Sequence, residues 1–259
     1  ILAYYDEMGF ADWTQESTGT AMLKAQHPEM ETFLQGKHAA FLSCADCHMP
    51  TETTDAGVAY RSHMLVSPLE NEALLASCAQ CHGDTDMTAF VKGIQEKVTA
   101  RESEVGNRLS AMKDALAAAV ASGNWSEDDL NAVRKLHREA QWFFDYCYVE
   151  NSEGAHNSQL SLSCLDTSEA KIDEAMQLLE EGDTVAPHIQ GFVEAFGSKS
   201  PLGLMQLLSI VLLLRWEITY RRRRERFFES ANSALRCSQC REQLCKYKRA
   251  LSRKASSHS

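Results

Sequence analysis

"LSCADCHMP", residues 42–50, sets two cysteines three apart with a histidine directly after the second. "SCAQCH", residues 77–82, repeats the arrangement thirty-four positions later. Cys-x-x-Cys-His is the attachment pattern of a c-type haem. Two thiols at this spacing can each form a thioether to one edge of a porphyrin. The next imidazole then reaches beneath the ring to the iron. A redox Cys-x-x-Cys pair does not need that histidine, and zinc sites built from Cys and His usually space the histidine away from the cysteine pair. The two motifs therefore predict two covalent haems, held by Cys44 and Cys47 and by Cys78 and Cys81, with His48 and His82 as proximal iron ligands.

The chain of 259 residues is long enough for one or two domains and carries a net charge of −10. That charge is uneven. Residues 1–184 hold 12 Lys and Arg against 31 Asp and Glu, whereas residues 185–259 hold 14 against 5. The last seventy-five residues are thus expected to be a different kind of segment. An acidic body argues against nucleic acid as a partner. Of nine cysteines, four lie in the haem motifs, two in the middle (Cys147, Cys164) and three in the tail (Cys237, Cys240, Cys245). Haem c ligation takes place outside the bacterial cytoplasmic membrane, so a periplasmic location is expected. "ILAYYDEMGF" has no initiator Met, basic n-region or apolar core. The chain is therefore expected to be an incomplete copy of a longer protein.

Hydrophobic periodicity predicts a mainly α protein. Residues 1–84 read as irregular chain with short helices, suited to wrapping cofactors, and no strand is expected before residue 200. A first long helix is predicted from Met87 to about Ala121, with Phe90, Ile94, Val98, Val105, Leu109, Met112 and Leu116 at helical spacing. Ser126 followed by three acids marks the start of a second helix, running to about Tyr148. A third spans roughly 158–181 and is predicted to stop at Gly182. These stripes read as core packing, and the helix lengths suggest a dimer seam. The resulting division is a haem-binding region at 1–84, a long-helix region at 85–182 and a basic tail at 183–259.

Each haem of this type usually takes a second axial histidine or a methionine. Of nine histidines, His38, His63 and His156 fall in loops or just before helices. His137 lies mid-helix between Lys135 and Arg138 and reads as solvated, and His258 is in the tail. Met49 and Met64 are near the motifs, although Met49 is too close to its own attachment site to return to that iron. Spacing alone does not choose among these. "KAQHP", residues 24–28, reads from its residues as a loop before a helix, with His27 exposed.

Taken in order, "MLKAQHPEMETF" (22–33), "CADCHMP" (44–50), "SHMLVSPL" (62–69), "CAQCH" (78–82), "HREAQWFFDY" (137–146) and "ENSEGAHN" (150–157) resemble the C-terminal half of the pentahaem cytochrome c nitrite reductases. The resemblance covers roughly residues 4–182. It implies a multihaem cytochrome c fold and a parent enzyme that reduces nitrite to ammonium with six electrons and five haems. Residue by residue, it implies that His156 is the distal ligand opposite His48 and His38 the distal ligand opposite His82. His63 would be the distal ligand of a haem attached elsewhere. His27 would stand in the distal pocket over the catalytic haem as the catalytic residue. Gln26 and the carbonyl of Lys24 would belong to a structural calcium site beside that pocket. The implied partners are nitrite, a second copy through the long helices, and a membrane quinol dehydrogenase or small cytochrome as electron donor. An imidazole suits the pocket role, because it can hold an anion by hydrogen bonding and deliver protons near neutral pH.

The resemblance has two gaps. The family's catalytic haem usually attaches through Cys-x-x-Cys-Lys, and no such motif occurs here. Two other haem motifs, the pocket arginine and tyrosine and the calcium carboxylate are likewise unmatched and are expected upstream of Ile1, so the chain alone is expected to be inactive. Residues 185–259 have no recognised counterpart. "LGLMQLLSIVLLL" (202–214) is short for a membrane span, "RRRRER" (221–226) is basic, and "CSQCREQLC" (237–245) is half a zinc site. A non-homologous tail is the preferred reading, with a membrane-anchored binding module as the other. The alternative for the body is a small dihaem electron-transfer cytochrome without substrate chemistry.

Overall fold

Three long helical segments carry the fold and supply most of its buried core. The structure is a computed structural model that describes the backbone of residues 1–196 and the side chains of residues 1–182. Ile1–Ala186 forms one compact unit. The predicted features at 202–214, 221–226 and 237–245 lie outside the described residues. Among the described residues no helix is long and apolar enough to cross a membrane.

The N-terminal part comprises α1 (Leu2–Glu7), the hairpin β1 (Trp13–Gln15) and β2 (Thr20–Met22), and α2 (Glu29–Leu34). A 3₁₀ turn (Lys37–Ala40) leads to α3 (Cys44–His48), the hairpin β3 (Thr51–Thr53) and β4 (Ala59–Arg61), a second 3₁₀ turn (Pro68–Glu70) and α4 (Glu72–His82). Then come α5 (Met87–Ser122), α6 (Glu127–Tyr148) and α7 (Ser158–Phe196). The protein is mainly α, as the periodicity predicts. The two antiparallel hairpins correct the expectation of no strands. Each of their strands is three residues long, too short to display alternation in the sequence.

The starts of α5 and α6 follow from side-chain caps. The Asp86 carboxylate accepts the Ala89 N–H, and the Ser126 hydroxyl accepts the Asp129 N–H. Gly123, at φ +66°, ends α5. Between the helices, Val105, Met112, Leu116, Val133, Ala140, Leu165, Ile172 and Ala175 are fully or almost fully buried. Truncating one of the larger of these to alanine costs about 2–5 kcal/mol. Ser168 on α7 donates to the Ala140 carbonyl of α6 at 2.8 Å, and Lys171 reaches Glu139 at 2.7 Å. Arg101 and Arg108 of α5 both grip Glu169 of α7.

The third helix does not stop at Gly182 but continues to Phe196. A Cβ on Gly182 would fall 2.0 Å from the Trp125 ring. This glycine lets an aromatic ring lie against the helix backbone. Inside a helix it costs about 1 kcal/mol, which is too little to end the helix.

His137 is the other correction. It is 1% exposed, and its Nδ1 lies 2.9 Å from the Thr20 hydroxyl, which in turn contacts Thr18 at 2.8 Å. The flanking residues point elsewhere. Arg134 donates to the Thr18 carbonyl at 2.7 Å, and Arg138 donates to the Ala21 and Phe10 carbonyls at 2.7 and 2.8 Å and to Asp6 at 2.8 Å. One face of α6 thus pins the β1–β2 hairpin. Burial first, and then the Lys113 charge, push the His137 imidazole down to about 4. Below the ordinary value near 6.5, the unfolded chain takes up a proton here and the folded one does not. Stability therefore rises with pH between about 4 and 6.5, by up to ~1.4 kcal/mol per pH unit from this group. Chemical denaturation across pH 4–7 should show that slope, and His137→Gln should remove its share.

Candidate haem-binding site

Each attachment motif is held on a helix whose sequence fixes where its histidine points. α3 is one turn long. The Asp46 carboxylate ties its start by accepting the Ser43 N–H and O–H at 2.9 and 2.7 Å, and it pairs with Arg61 at 3.0 Å. These partners, Ser43 first, hold the Asp46 carboxyl below its ordinary value. The chain then turns through the β3–β4 hairpin and returns over α3, where the Val66 carbonyl meets His48 Nδ1 at 2.9 Å. That carbonyl can only accept, so Nδ1 carries the proton and Nε2 is left with a free lone pair. The second motif ends α4, whose N-cap Asn71 accepts the Leu74 N–H at 3.0 Å. The four motif cysteines are free thiols, Cys44 and Cys81 exposed and Cys47 and Cys78 half-buried. Burial, and next the charge of Cys78, push the Cys47 thiol up.

The histidines pair across space. The His48 and His156 rings lie 6.0 Å apart between centroids, inclined by 73°. The His38 and His82 rings also lie 6.0 Å apart, inclined by 71°. An imidazole nitrogen binds a metal at about 2 Å, so two rings on opposite faces of one iron hold their centroids about 6 Å apart. Both pairs therefore fit an iron between them, and each has its Cys-x-x-Cys thiols beside it. Phe41 packs edge-on to His38 at 6.0 Å and Phe90 lies 6.4 Å from His82, both rings largely exposed. The two sites also touch through the backbone. A Cβ on Gly36, just before the turn that carries His38, would fall 2.8 Å from the His156 carbonyl.

His156 precedes α7 in a tight loop. Its Nδ1 lies 2.6 Å from Glu150, whose side chain is 1% exposed. Burial alone would raise this carboxyl, but hydrogen bonds from His156 and Ser152 outweigh it and hold Glu150 below its ordinary value. Nearby Glu102 on α5 is pushed up by burial and then by Glu153 and Glu150. Reading the sequence missed Glu150. Its signal was an acid six residues before a candidate ligand in a glycine-containing loop.

The remaining candidates lie apart. His63 is exposed and joins neither pair. His27 leaves the end of the pinned hairpin with its side chain 79% exposed and φ +48°, a left-handed backbone uncommon outside glycine. Its Nδ1 lies 3.8 Å from Glu29, which is itself anchored by the Asn151 side chain and N–H. Lys24 donates its N–H to Asp12 at 2.8 Å and sets its ammonium 5.5 Å over the Trp13 ring. Lys24 and Gln26 are exposed. Among the described residues no group of three or more His, Cys, Asp or Glu side chains could hold a metal. Calcium takes 6–8 oxygens, usually including carboxylates. A carbonyl and an amide do not suffice, and the described residues alone do not fit a calcium ion.

The family model described as cytochrome c552 matches residues 1–191. The chain belongs to the cytochrome c552 family. Among its relatives, the cytochrome c nitrite reductase subunit NrfA of Nitratidesulfovibrio vulgaris is 34% identical over 198 residues, which is 69% of this chain and 37% of that protein. Cytochrome c-552 of Aliarcobacter butzleri is 34% identical over 178 residues, covering 66% of this chain and 34% of that one. Cytochrome c-552 of Parabacteroides distasonis is also 34% identical, over 182 residues, covering 68% and 35%. The chain spans about a third of the length of these family members. Among solved structures, the catalytic subunit of the Desulfovibrio desulfuricans cytochrome c nitrite reductase superposes with a TM-score of 0.60 at 33% identity, over 66% of this chain and 37% of that one. That structure is described for its two calcium sites. The family membership and this likeness agree with the multihaem cytochrome fold that the motifs imply.

Proposed function

We propose that this chain is the electron-delivering part of a periplasmic, ammonia-forming cytochrome c nitrite reductase, and that it also supplies the proton-donating histidine of the distal pocket. The observation that carries the reading is the equal 6.0 Å spacing of the two histidine pairs beside the two Cys-x-x-Cys motifs. Haem c, when attached, supplies a one-electron carrier at each pair. Cys44 and Cys47 anchor one group, with His48 and His156 as its axial ligands. Cys78 and Cys81 anchor the other, with His82 and His38. Both irons then have every axial position taken, so these sites bind no nitrite and only pass electrons on. The close approach of Gly36, just before the turn that carries His38, to the His156 carbonyl supports close approach of the two groups. His63 serves a haem attached elsewhere in the parent, where the exposed Met64 and Leu65 would also find cover.

His27 faces outward from a strained backbone, held by the hairpin that α6 pins. In the parent enzyme its imidazole donates a hydrogen bond and a proton to the bound anion. Lys24 and Gln26 contribute two oxygens to a calcium site completed by residues outside this chain. The donor, a quinol dehydrogenase or small cytochrome, meets the haem-bearing region.

A homodimer along α5–α7 belongs to the same proposal and rests on helix length. Of fourteen large exposed apolar residues among those described, twelve lie in residues 1–65 and only Phe90 and Tyr148 in the long-helix region. The haem-bearing region is accordingly where we place the rest of the parent enzyme.

The functional test uses the haem-loaded chain after chemical reduction. It should give reversible low-potential redox transitions and form no ammonium from nitrite. Full-length parent enzyme should form ammonium under the same conditions. Steady nitrite turnover by the chain alone would overturn the assignment of both irons as closed.

A further inference from the structure

We infer that Glu150 is a positioning residue that turns the His156 imidazole toward iron and makes the His48–His156 site the lower-potential of the two. This rests on the haem-ligation reading above. Four donors converge on the Glu150 carboxylate: His156 Nδ1 at 2.6 Å, the Ser152 hydroxyl at 2.6 Å, the Ser152 N–H at 3.3 Å and the Gly154 N–H at 3.4 Å. The Ser152 hydroxyl also accepts the His156 N–H at 2.9 Å, so the loop binds the histidine at both backbone and ring. The loop closes this tightly because Glu153 and Gly154 take φ of +53° and +87°.

The consequence is chemical as well as steric. A carboxylate at Nδ1 fixes the tautomer with Nε2 free and raises its basicity as a metal ligand. A more basic axial nitrogen favours the ferric over the ferrous state. The other three ligands lack this support. His48 meets only the neutral carbonyl of Val66, and among the described residues no carboxylate hydrogen-bonds His38 or His82. The two sites share ligand type and spacing, and they differ in one buried anion. In an electron relay, the lower potential makes the His48–His156 site the donor of the pair. One electron passes between irons, with no bond made or broken and no proton moved.

The test is a spectroelectrochemical titration of the full haem-loaded chain, with covalent haem counted separately by mass. Glu150→Gln keeps the shape and a hydrogen-bond acceptor but removes the charge. It should favour the reduced form of one haem about tenfold, or about 59 mV for a one-electron couple, and leave the other unmoved. The ferric near-infrared charge-transfer band of that haem should move to longer wavelength. Glu102→Gln removes a neighbouring carboxyl without touching His156 and should leave the band in place. Two haems with unchanged midpoints and bands in Glu150→Gln would overturn this inference and leave the ligation reading standing. Absence of covalent haem from the wild-type chain would overturn both. Should the variant fail to load haem, the wild-type spectrum decides. Two charge-transfer bands, one at shorter wavelength, are expected, and a single band would contradict the proposed difference.

Discussion

His27→Ala in the full-length parent enzyme should lower nitrite turnover about 10²–10⁴-fold, the usual loss for removing one positioned acid or oxyanion donor. Haem content and the bis-histidine spectra should stay as they are. The expectation follows from placement. His27 belongs to neither histidine pair, so deleting it costs neither pair a ligand. Its backbone is left-handed at φ +48°, which costs a non-glycine residue about 1–2 kcal/mol. Such strain persists where surrounding contacts over-determine it, here the hairpin held by Arg134, His137 and Arg138. A second variant separates pocket chemistry from pocket shape. Gln26→Ala should act by loosening calcium, and added calcium should partly restore it. Near-normal turnover in His27→Ala would return this residue to an ordinary exposed loop position, and loss of a haem-ligand signal would make it an axial ligand instead.

His156→Ala in the haem-loaded chain should convert one of two six-coordinate low-spin haems to a high-spin form with an open face, while both stay covalently attached. His38→Ala should do the same to the other. His63→Ala should change neither spectrum, because His63 is exposed and joins no pair. Electronic absorption and electron paramagnetic resonance of the three variants distinguish the outcomes directly. A low-spin signal lost on changing His63 would mean that the rings 6.0 Å apart are not the ones that share iron.

The parts of this structure set by local chemistry could be read from the sequence. The attachment motifs needed only spacing, and the starts of α5 and α6 needed only a capping side chain and apolar periodicity. What stayed hidden depends on contacts between distant residues. His137 sits among charges, yet both neighbouring arginines are committed to carbonyls more than a hundred residues earlier, and the histidine itself faces Thr20. Gly182 looks like a stop, yet its missing Cβ makes room for Trp125. Three-residue strands carry no periodic signal. Glu150 could have been suspected as a partner for His156, but that it is buried depends on α5 closing over the loop, where Val98 sits against Gly154. The pairing of the histidines was implied by family resemblance alone. The ring separations of 6.0 Å are compatible with that pairing.

The most direct measurement is the mass of the chain matured in a bacterium equipped for haem c ligation, together with the ferric absorption spectrum of the same sample. Two covalent haems per chain, both six-coordinate and low-spin, are expected, falling to one when Cys78 and Cys81 are changed to serine. A cleanly expressed chain with no covalent haem, or with two haems of which one is five-coordinate, would contradict the account.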